Sequence, residues 1–338
     1  MFRFSIFLVL MLGLMACGQP HPDRLQYSLS GSTMGTTYNI NIVSPSEVDS
    51  SQLNTIHSAI EAELASIDSL MSTYKLDSEV SRFNRAAIGE GVSLSAATIE
   101  VLNEALALNN LSEGSFDPTV GPLIDAWGFG GGSKHKGIVV DEKNLASVLE
   151  KVGVQRFKLV DGQLYKLQDV ELDLSAIAKG FAADKVAIAL RDQGIANFLV
   201  EIGGEVVTHG RSVRDSLWVL GIESPDKQGR NVYTRVHLGN AALATSGDYR
   251  NYFEENGKRY SHTIDPLSGR PVEHLLASVS VIAEDCMLAD GLATALMVMG
   301  EQRGYEFASK HNISALFIYR GDEGLITMHT DSFKQYLK

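Results

Sequence analysis

The sequence predicts an α+β protein with mixed and largely antiparallel sheets and packed helices. Three observations carry this reading. Alternating apolar strands come in pairs around glycine-containing turns, the pattern of β-hairpins. Between them, apolar residues recur at the three- and four-residue spacing of amphipathic helices. The hairpins and helices follow one another irregularly, without the strict strand–helix alternation that winds a parallel sheet, and no solenoid repeat is visible.

The elements follow in chain order. Leu25, Tyr27 and Leu29 alternate with polar residues, as do Tyr38, Ile40 and Ile42, giving two strands around a Gly31–Gly35 turn. A helical stripe then runs Leu53, Ile56, Ile60, Leu64, Ile67 and Met71, and a second joins Ile99, Leu102, Leu106 and Leu111. Leu145, Val148, Leu149 and Val152 place a third helix around 143–152. From Arg156 to Leu174 the pattern alternates on both sides of Asp161-Gly162, a hairpin signal. The next helix spans Ala176 to Gln193 and ends at Gly194. Strands return at 198–202, 217–222 and 234–238, followed by a Tyr252–Ile264 hairpin turning at Asn256-Gly257. A strand at 278–283 precedes the apolar helix beginning at Cys286, and a helix at 303–310 leads to a closing strand pair at 315–319 and 325–329.

The chain has 338 residues and a formal charge of −12. That length supports one large unit or two closely joined ones, and the acidity argues against a general nucleic-acid surface. Arg3, the apolar run Ile6–Leu12 and Leu14-Met15-Ala16-Cys17 form a processing signal. Its end resembles a bacterial lipobox, which implies cleavage of residues 1–16, lipidation of Cys17 and a short polar tether over 17–24. By resemblance to the sorting rules of Gram-negative lipoproteins, Gly18 after Cys17 implies the periplasmic face of the outer membrane rather than the inner membrane. Cys286 then has no cysteine left to pair with inside the chain.

Asp290 and Thr294 stand four residues apart in the apolar segment 286–299, so a helix there turns both oxygens the same way. A carboxylate taken out of water needs a partner, and the flanking sequence supplies no cation. Two readings stay open: a bound metal ion, or an Asp capping a neighbouring loop with Thr294 bonded to a backbone carbonyl. Leu172 and Leu174 point inward before the 176–193 helix, which places Asp173, free helix amides and Lys179 at one corner suited to phosphate. An ordinary capped helix with a surface lysine fits the same residues. His262 is either a base or phosphate contact or a hydrogen-bonded structural histidine. The 114–132 stretch joins Phe116-Asp117-Pro118-Thr119 to Trp127, Phe129 and a glycine run, and it matches neither a dinucleotide fingerprint nor a P-loop. No nucleophile elbow, CxxC or HExxH appears.

Taken in order, the segments Met34–Tyr38, Met71–Tyr74, Ser115–Leu123, Leu172–Asp184, Val200–Glu205, Ala244–Tyr249, Ser261–Pro266 and the Asp290/Thr294 helix resemble the ApbE family, the FAD:protein FMN transferases of bacterial envelopes. The resemblance spans nearly the whole chain after the signal. It implies one catalytic unit over 25–338, built of two intertwined subdomains. It implies FAD contacts at Met34, Tyr74, Ser115, Phe116, Asp117, Asp173, Lys179 and Ile264. It implies Mg²⁺ ligation by the Ala176 carbonyl, Asp290 and Thr294, with His262 and Lys179 in the chemistry. Ser115 stands where the family often has Ala, and Ser175 where Gly is common.

The family reaction moves FMN from FAD to a threonine or serine hydroxyl of a target protein through a phosphoester, releasing AMP. The expected targets are exported flavoproteins, such as flavinylated subunits of ion-pumping oxidoreductases of the Nqr and Rnf type. Two other readings fit the same residues: an Mg²⁺-dependent FAD pyrophosphatase, with water as acceptor, and a non-catalytic periplasmic flavin-binding lipoprotein.

Overall fold

The computed structural model describes residues 24–130, 140–225, 231–249, 252–255 and 257–337. The signal, the lipidation site at Cys17, nearly all of the tether and the Asn256 turn position lie outside the described residues. Among the described residues no helix is long and apolar enough to cross a membrane.

One eight-stranded sheet organises the molecule, and every pairing within it is antiparallel. Its order across the sheet is Leu25–Thr33, Thr36–Ser44, Phe198–Ile202, Glu205–His209, Ala241–Gly247, Leu276–Ala283, Ser314–Gly321 and Gly324–His329. Strands from both ends of the chain therefore share one sheet. The first hairpin turns at Met34 and Gly35, both with positive φ (48° and 73°), a turn whose twist matches the flanking strands. Asp161 and Gly162 (φ 50° and 75°) close the small hairpin Phe157–Val160/Gln163–Lys166 in the same way.

Helices Ser50–Met71, Ala96–Leu111, Ser175–Asp192 and Cys286–Lys310 cover one face of the sheet, contributing to a core that includes Ile40, Ile60, Leu102, Phe181, Val200, Val279 and Phe317. The predicted stripe on the first helix is its buried face, Ile56, Ile60, Leu64, Ile67 and Met71, and Asp49 caps its start by accepting from the Gln52 amide. Each such aliphatic side chain contributes about 1.5–3 kcal/mol when fully buried. On the opposite face lies a smaller core. There the hairpin Trp218–Glu223/Val232–Leu238 and the terminal 3₁₀ turn Asp331–Tyr336 pack Leu220, Ile222, Val236 and Phe333 against Val206, Leu243 and Ile318. A third cluster, Leu123, Trp127, Leu145, Val152 and Ile264, lies under the loops at one end.

The structure departs from the sequence reading at several elements. Residues 167–174 form no strand, although Leu172 and Leu174 are buried as predicted. The 252–264 segment is interrupted, because Lys258–Ser261 ends before His262 and Ile264–Asp265 pairs separately with Arg270–Pro271. The helix Glu79–Arg85 and the strands Glu205–His209 and Ala241–Gly247 carry short or uninterrupted apolar runs, which periodicity does not separate from loops. The segments at 286–299 and 303–310 join across a break at Gly300 (φ 80°, ψ 179°), where the His274 ring packs and its Nε2 meets the Met297 carbonyl at 2.8 Å.

Candidate functional site

Two buried helices cross at the centre of the site, and a glycine lets them approach. A Cβ on Gly180 would stand 2.3 Å from the Cys286 carbonyl oxygen and 2.9 Å from Asp290 Cβ. Without a side chain there, the Gly180 amide reaches Asp290 Oδ2 at 3.1 Å. One turn on, Asp184 accepts from the Cys286 and Met287 amides at 2.8–3.0 Å, fixing the start of the second helix to the first. Three anchors on one face of helix 175–192, at 179, 180 and 184, thus set where Asp290 and Thr294 sit.

Lys179 is the cation that the local sequence around Asp290 lacks. Its Nζ lies 3.4 Å from Asp290 Oδ2 and 3.6 Å from Glu205 Oε1. The expectation that Asp290 has no cation beside it is therefore corrected: a lysine and an amide are its partners, brought from about 110 residues away by the fold. Burial disfavours the ammonium, yet the two carboxylates outweigh it and hold Lys179 above the ordinary lysine range. Burial pushes Asp290 upward as well.

Glu205 was missed as a functional residue. It is 4% exposed, and its Oε2 is buried without a hydrogen bond. Burial pushes its carboxyl up to about 8, Lys179 opposing and Asp290 adding to the shift. The signal for it lay in Gly203-Gly204, both at positive φ (65° and 110°), which turn strand 198–202 back on itself and start the next strand at Glu205.

A cleft of about 670 Å³ opens over this centre, a volume suited to a large small-molecule ligand. Its walls include Ala176, Lys179, Glu205, His262, Ile264, Asp290 and Thr294. Six residues singled out from sequence thus share one cavity. Asp290 Oδ2 takes both described hydrogen bonds of that carboxylate and leaves Oδ1 with none among the described residues. Thr294 Oγ1 is 3.4 Å from Ser246 Oγ. The Gly180 amide, whose regular helical acceptor is the Ala176 carbonyl, is shared with Asp290, so that carbonyl keeps lone-pair capacity. No group of three or more His, Cys, Asp or Glu side chains forms a metal site among the described residues. Carbonyl, carboxylate and hydroxyl oxygens beside the orphaned Glu205 oxygen nevertheless match what Mg²⁺ prefers.

The other implied contacts do not line the cleft. Phe116 is 2% exposed inside the main core, so its ring offers no stacking face and only its backbone can meet a ligand. Ser115 is 1% exposed, with its hydroxyl accepting from Arg303 at 3.2 Å. The Asp117 carboxylate binds the Thr119 amide and hydroxyl, and burial pushes it up. Asp173 accepts from the Ser175 amide and donates its own amide to the Pro118 carbonyl, which ties the 115–121 segment to the start of helix 175–192. Tyr74 is 76% exposed in the loop after the first helix. Met34 holds a left-handed conformation at a hairpin tip whose Thr36 abuts Gly203 on the cleft wall. His262 lines the cleft with its ring edge-on to Phe129, centroids 6.3 Å apart.

Comparison with known proteins accords with this arrangement. The ApbE family model matches residues 34–317. The FAD:protein FMN transferase of Vibrio cholerae serotype O1 is 42% identical over 337 residues, covering 99% of both chains. That of Haemophilus influenzae is 41% identical, covering 96% of this chain and 94% of its own. Among solved structures, the flavin transferase ApbE from Vibrio cholerae superposes with a TM-score of 0.84 at 42% identity, covering 93% of this chain and all (100%) of the other. The apo flavinyl transferase ApbE of Pseudomonas stutzeri gives 0.85 at 36% identity, covering 93% and 97%. With a family match over residues 34–317 and relatives 42% and 41% identical over nearly the whole chain, the chain belongs to the ApbE family.

Proposed function

We propose that the protein is an Mg²⁺-dependent FAD:protein FMN transferase, joining FMN to a serine or threonine hydroxyl of an exported flavoprotein. The observation that carries this reading is the convergence of Ala176, Asp290 and Thr294 with Lys179 and His262 on one cleft. FAD is the substrate, and Ala176, Asp290 and Thr294 are the residues that would hold the cation. When bound there, Mg²⁺ supplies charge neutralisation to the pyrophosphate oxygens.

The protein's own residues do the rest. Lys179, kept charged by its two carboxylates, faces the phosphate and offsets negative charge that builds as the bond to AMP breaks. His262 accepts the proton of the acceptor hydroxyl. The hydroxyl oxygen then bonds to the FMN-side phosphorus, the bridging P–O bond breaks, and the bridging oxygen leaves with AMP. Asp117 and Asp173 fix the loop and helix start beside the cleft, Ile264 lines it, and Met34, Tyr74 and the backbone of Ser115 and Phe116 would meet FAD from outside the cleft wall. Lipidation at Cys17 would hold this unit at the periplasmic face of an envelope membrane.

The test is to incubate mature protein with FAD, Mg²⁺ and a peptide spanning the acceptor threonine of an exported flavoprotein, then follow AMP and peptide-bound flavin. AMP with flavin on the peptide is the expected result. AMP with free FMN would identify a pyrophosphatase, and turnover unaffected by EDTA would remove the metal from the scheme.

A further inference from the structure

A cleft that takes a pyrophosphate has a use for Lys179, yet it sets two buried carboxyl groups beside that one lysine. Asp290 and Glu205 are 3% and 4% exposed, and an anionic ligand gains nothing from negative charge next to it. Asp290 is one of the residues that would hold the cation. Glu205 has no such assignment, and its Oε2 is buried without a hydrogen bond. Burying a carboxyl with one oxygen unmet is costly, so the other oxygen shows what the group is for.

That oxygen, Oε1, faces Lys179 Nζ at 3.6 Å. The same ammonium lies 3.4 Å from Asp290 Oδ2 and 3.4 Å from the Ser175 carbonyl oxygen. All three distances exceed the roughly 2.7–2.9 Å of a closed charge-assisted bond, so the ammonium is suspended between its acceptors and keeps donor capacity for a ligand. Ser175 belongs to the helix of Lys179 itself and Asp290 to the helix that crosses it, whereas Glu205 begins a strand of the large sheet. The turn that carries Glu205 is tied to the first hairpin. The Gly203 amide donates to the Thr37 carbonyl at 3.0 Å, the Gly204 amide donates to Glu201 Oε1 at 2.8 Å, and Glu201 Oε2 accepts from the Asn39 side-chain amide at 2.8 Å. Take Glu205 away, and both remaining acceptors draw the lysine toward the helices.

We propose that Glu205 is a positioning residue: as the sheet-side acceptor for Lys179, it keeps the ammonium from collapsing onto Asp290 and holds it toward the pyrophosphate of FAD. This rests on the transferase reading, in which Lys179 meets the phosphate. One acceptor oxygen for one N–H is all that the role asks of position 205. A flexible four-carbon stem carries the lysine charge, so its place is set by the acceptors around it rather than by its own backbone.

The probe is FAD, titrated by flavin fluorescence in EDTA so that no metal enters the readout. Glu205→Leu removes the acceptor and weakens FAD binding about fivefold, whereas Glu205→Gln, which keeps one oxygen toward Lys179, stays within about twofold of the parent. The sign is diagnostic, because deleting a carboxylate from an anion site would by charge alone tighten FAD. In a Lys179→Met background, already about tenfold weaker, Glu205→Leu adds nothing, as expected when one residue acts through the other. Should Glu205→Leu not fold by circular dichroism, Glu205→Ala takes its place in the same cycle. Tighter or unchanged FAD binding in Glu205→Leu, an equal loss in Glu205→Gln, or a further loss in the Lys179→Met background would overturn the positioning role. Parent protein that binds FAD but releases no AMP with Mg²⁺ and an acceptor peptide would instead sink the transferase reading, while the binding cycle still decides the role of Glu205.

Discussion

On the helix side of the cleft, Lys179 is clamped between Asp290 and Glu205 at 3.4 and 3.6 Å, and Gly180 lets two helices touch through backbone atoms. Across from it, the hairpin Trp218–Glu223/Val232–Leu238 leaves Val219 and Val232 about half exposed (50% and 55%). The first wall holds its charged atoms in buried, mutually dependent contacts, which suits a centre that must be aligned before the substrate arrives. The second is held by apolar packing on one side and leaves its outer valines in water.

The sharpest way to break this contrast is at Asp290. Asp290→Ala leaves Lys179 paired with Glu205, so folding stability drops by only about 1–2 kcal/mol. AMP release falls about a hundredfold or more, and the Mg²⁺-induced rise in melting temperature disappears. Retention of that rise in calorimetry would remove Asp290 from the cation site. Gly180→Ala is the next largest. Its methyl group has backbone, not a flexible side chain, in its path, so the helices must part at a cost of about 1–3 kcal/mol. Displaced by this, Asp290 and Lys179 lose alignment, and kcat falls while far-ultraviolet circular dichroism is retained.

Glu205 separates the walls by pH. Its folded pKa, about 8, lies above that of an ordinary carboxyl, so the native state binds more protons than the unfolded chain across the interval between them. Its contribution to stability is therefore present at acid pH and lost as pH rises toward about 8. Denaturant midpoints of Glu205→Gln should lack this decline, and equal slopes for both proteins between pH 5 and 8 would refute it. The smallest effect lies on the open wall: Val219→Thr should change unfolding free energy by no more than about 0.5 kcal/mol, because half of that side chain is already in water.

The legible parts of the sequence were those that repeat a local rule. The stripe from Ile56 to Met71, the turn at Asp161-Gly162 and the alternation of Phe198–Ile202 each encode their element within a few residues, whereas the turn expected over Gly31–Gly35 narrows to Met34-Gly35 because 31–33 stay in the strand. Glu205–His209 and Ala241–Gly247 were not legible, since strands buried in mid-sheet carry no polar alternation to mark them. Among site residues, Asp290 and Thr294 announced themselves as polar atoms in an apolar helix. The burial of Phe116, expected as an FAD contact, was not legible, because nothing local tells an aromatic in a glycine-bounded loop that it will be swallowed by the core.

By itself the sequence determined the α+β architecture and the helix face bearing Asp290 and Thr294, both consequences of spacing along the chain, while its ordered motifs carried the resemblance to the family. Tertiary structure alone decided that Lys179 would be the partner of Asp290, that Glu205 would be buried with one oxygen unmet, and that Glu205–His209 would pair with its neighbour only at Ala241–Leu243. These depend on distances between residues remote in sequence. Burial and strand pairing set such distances, and both are properties of the folded molecule as a whole.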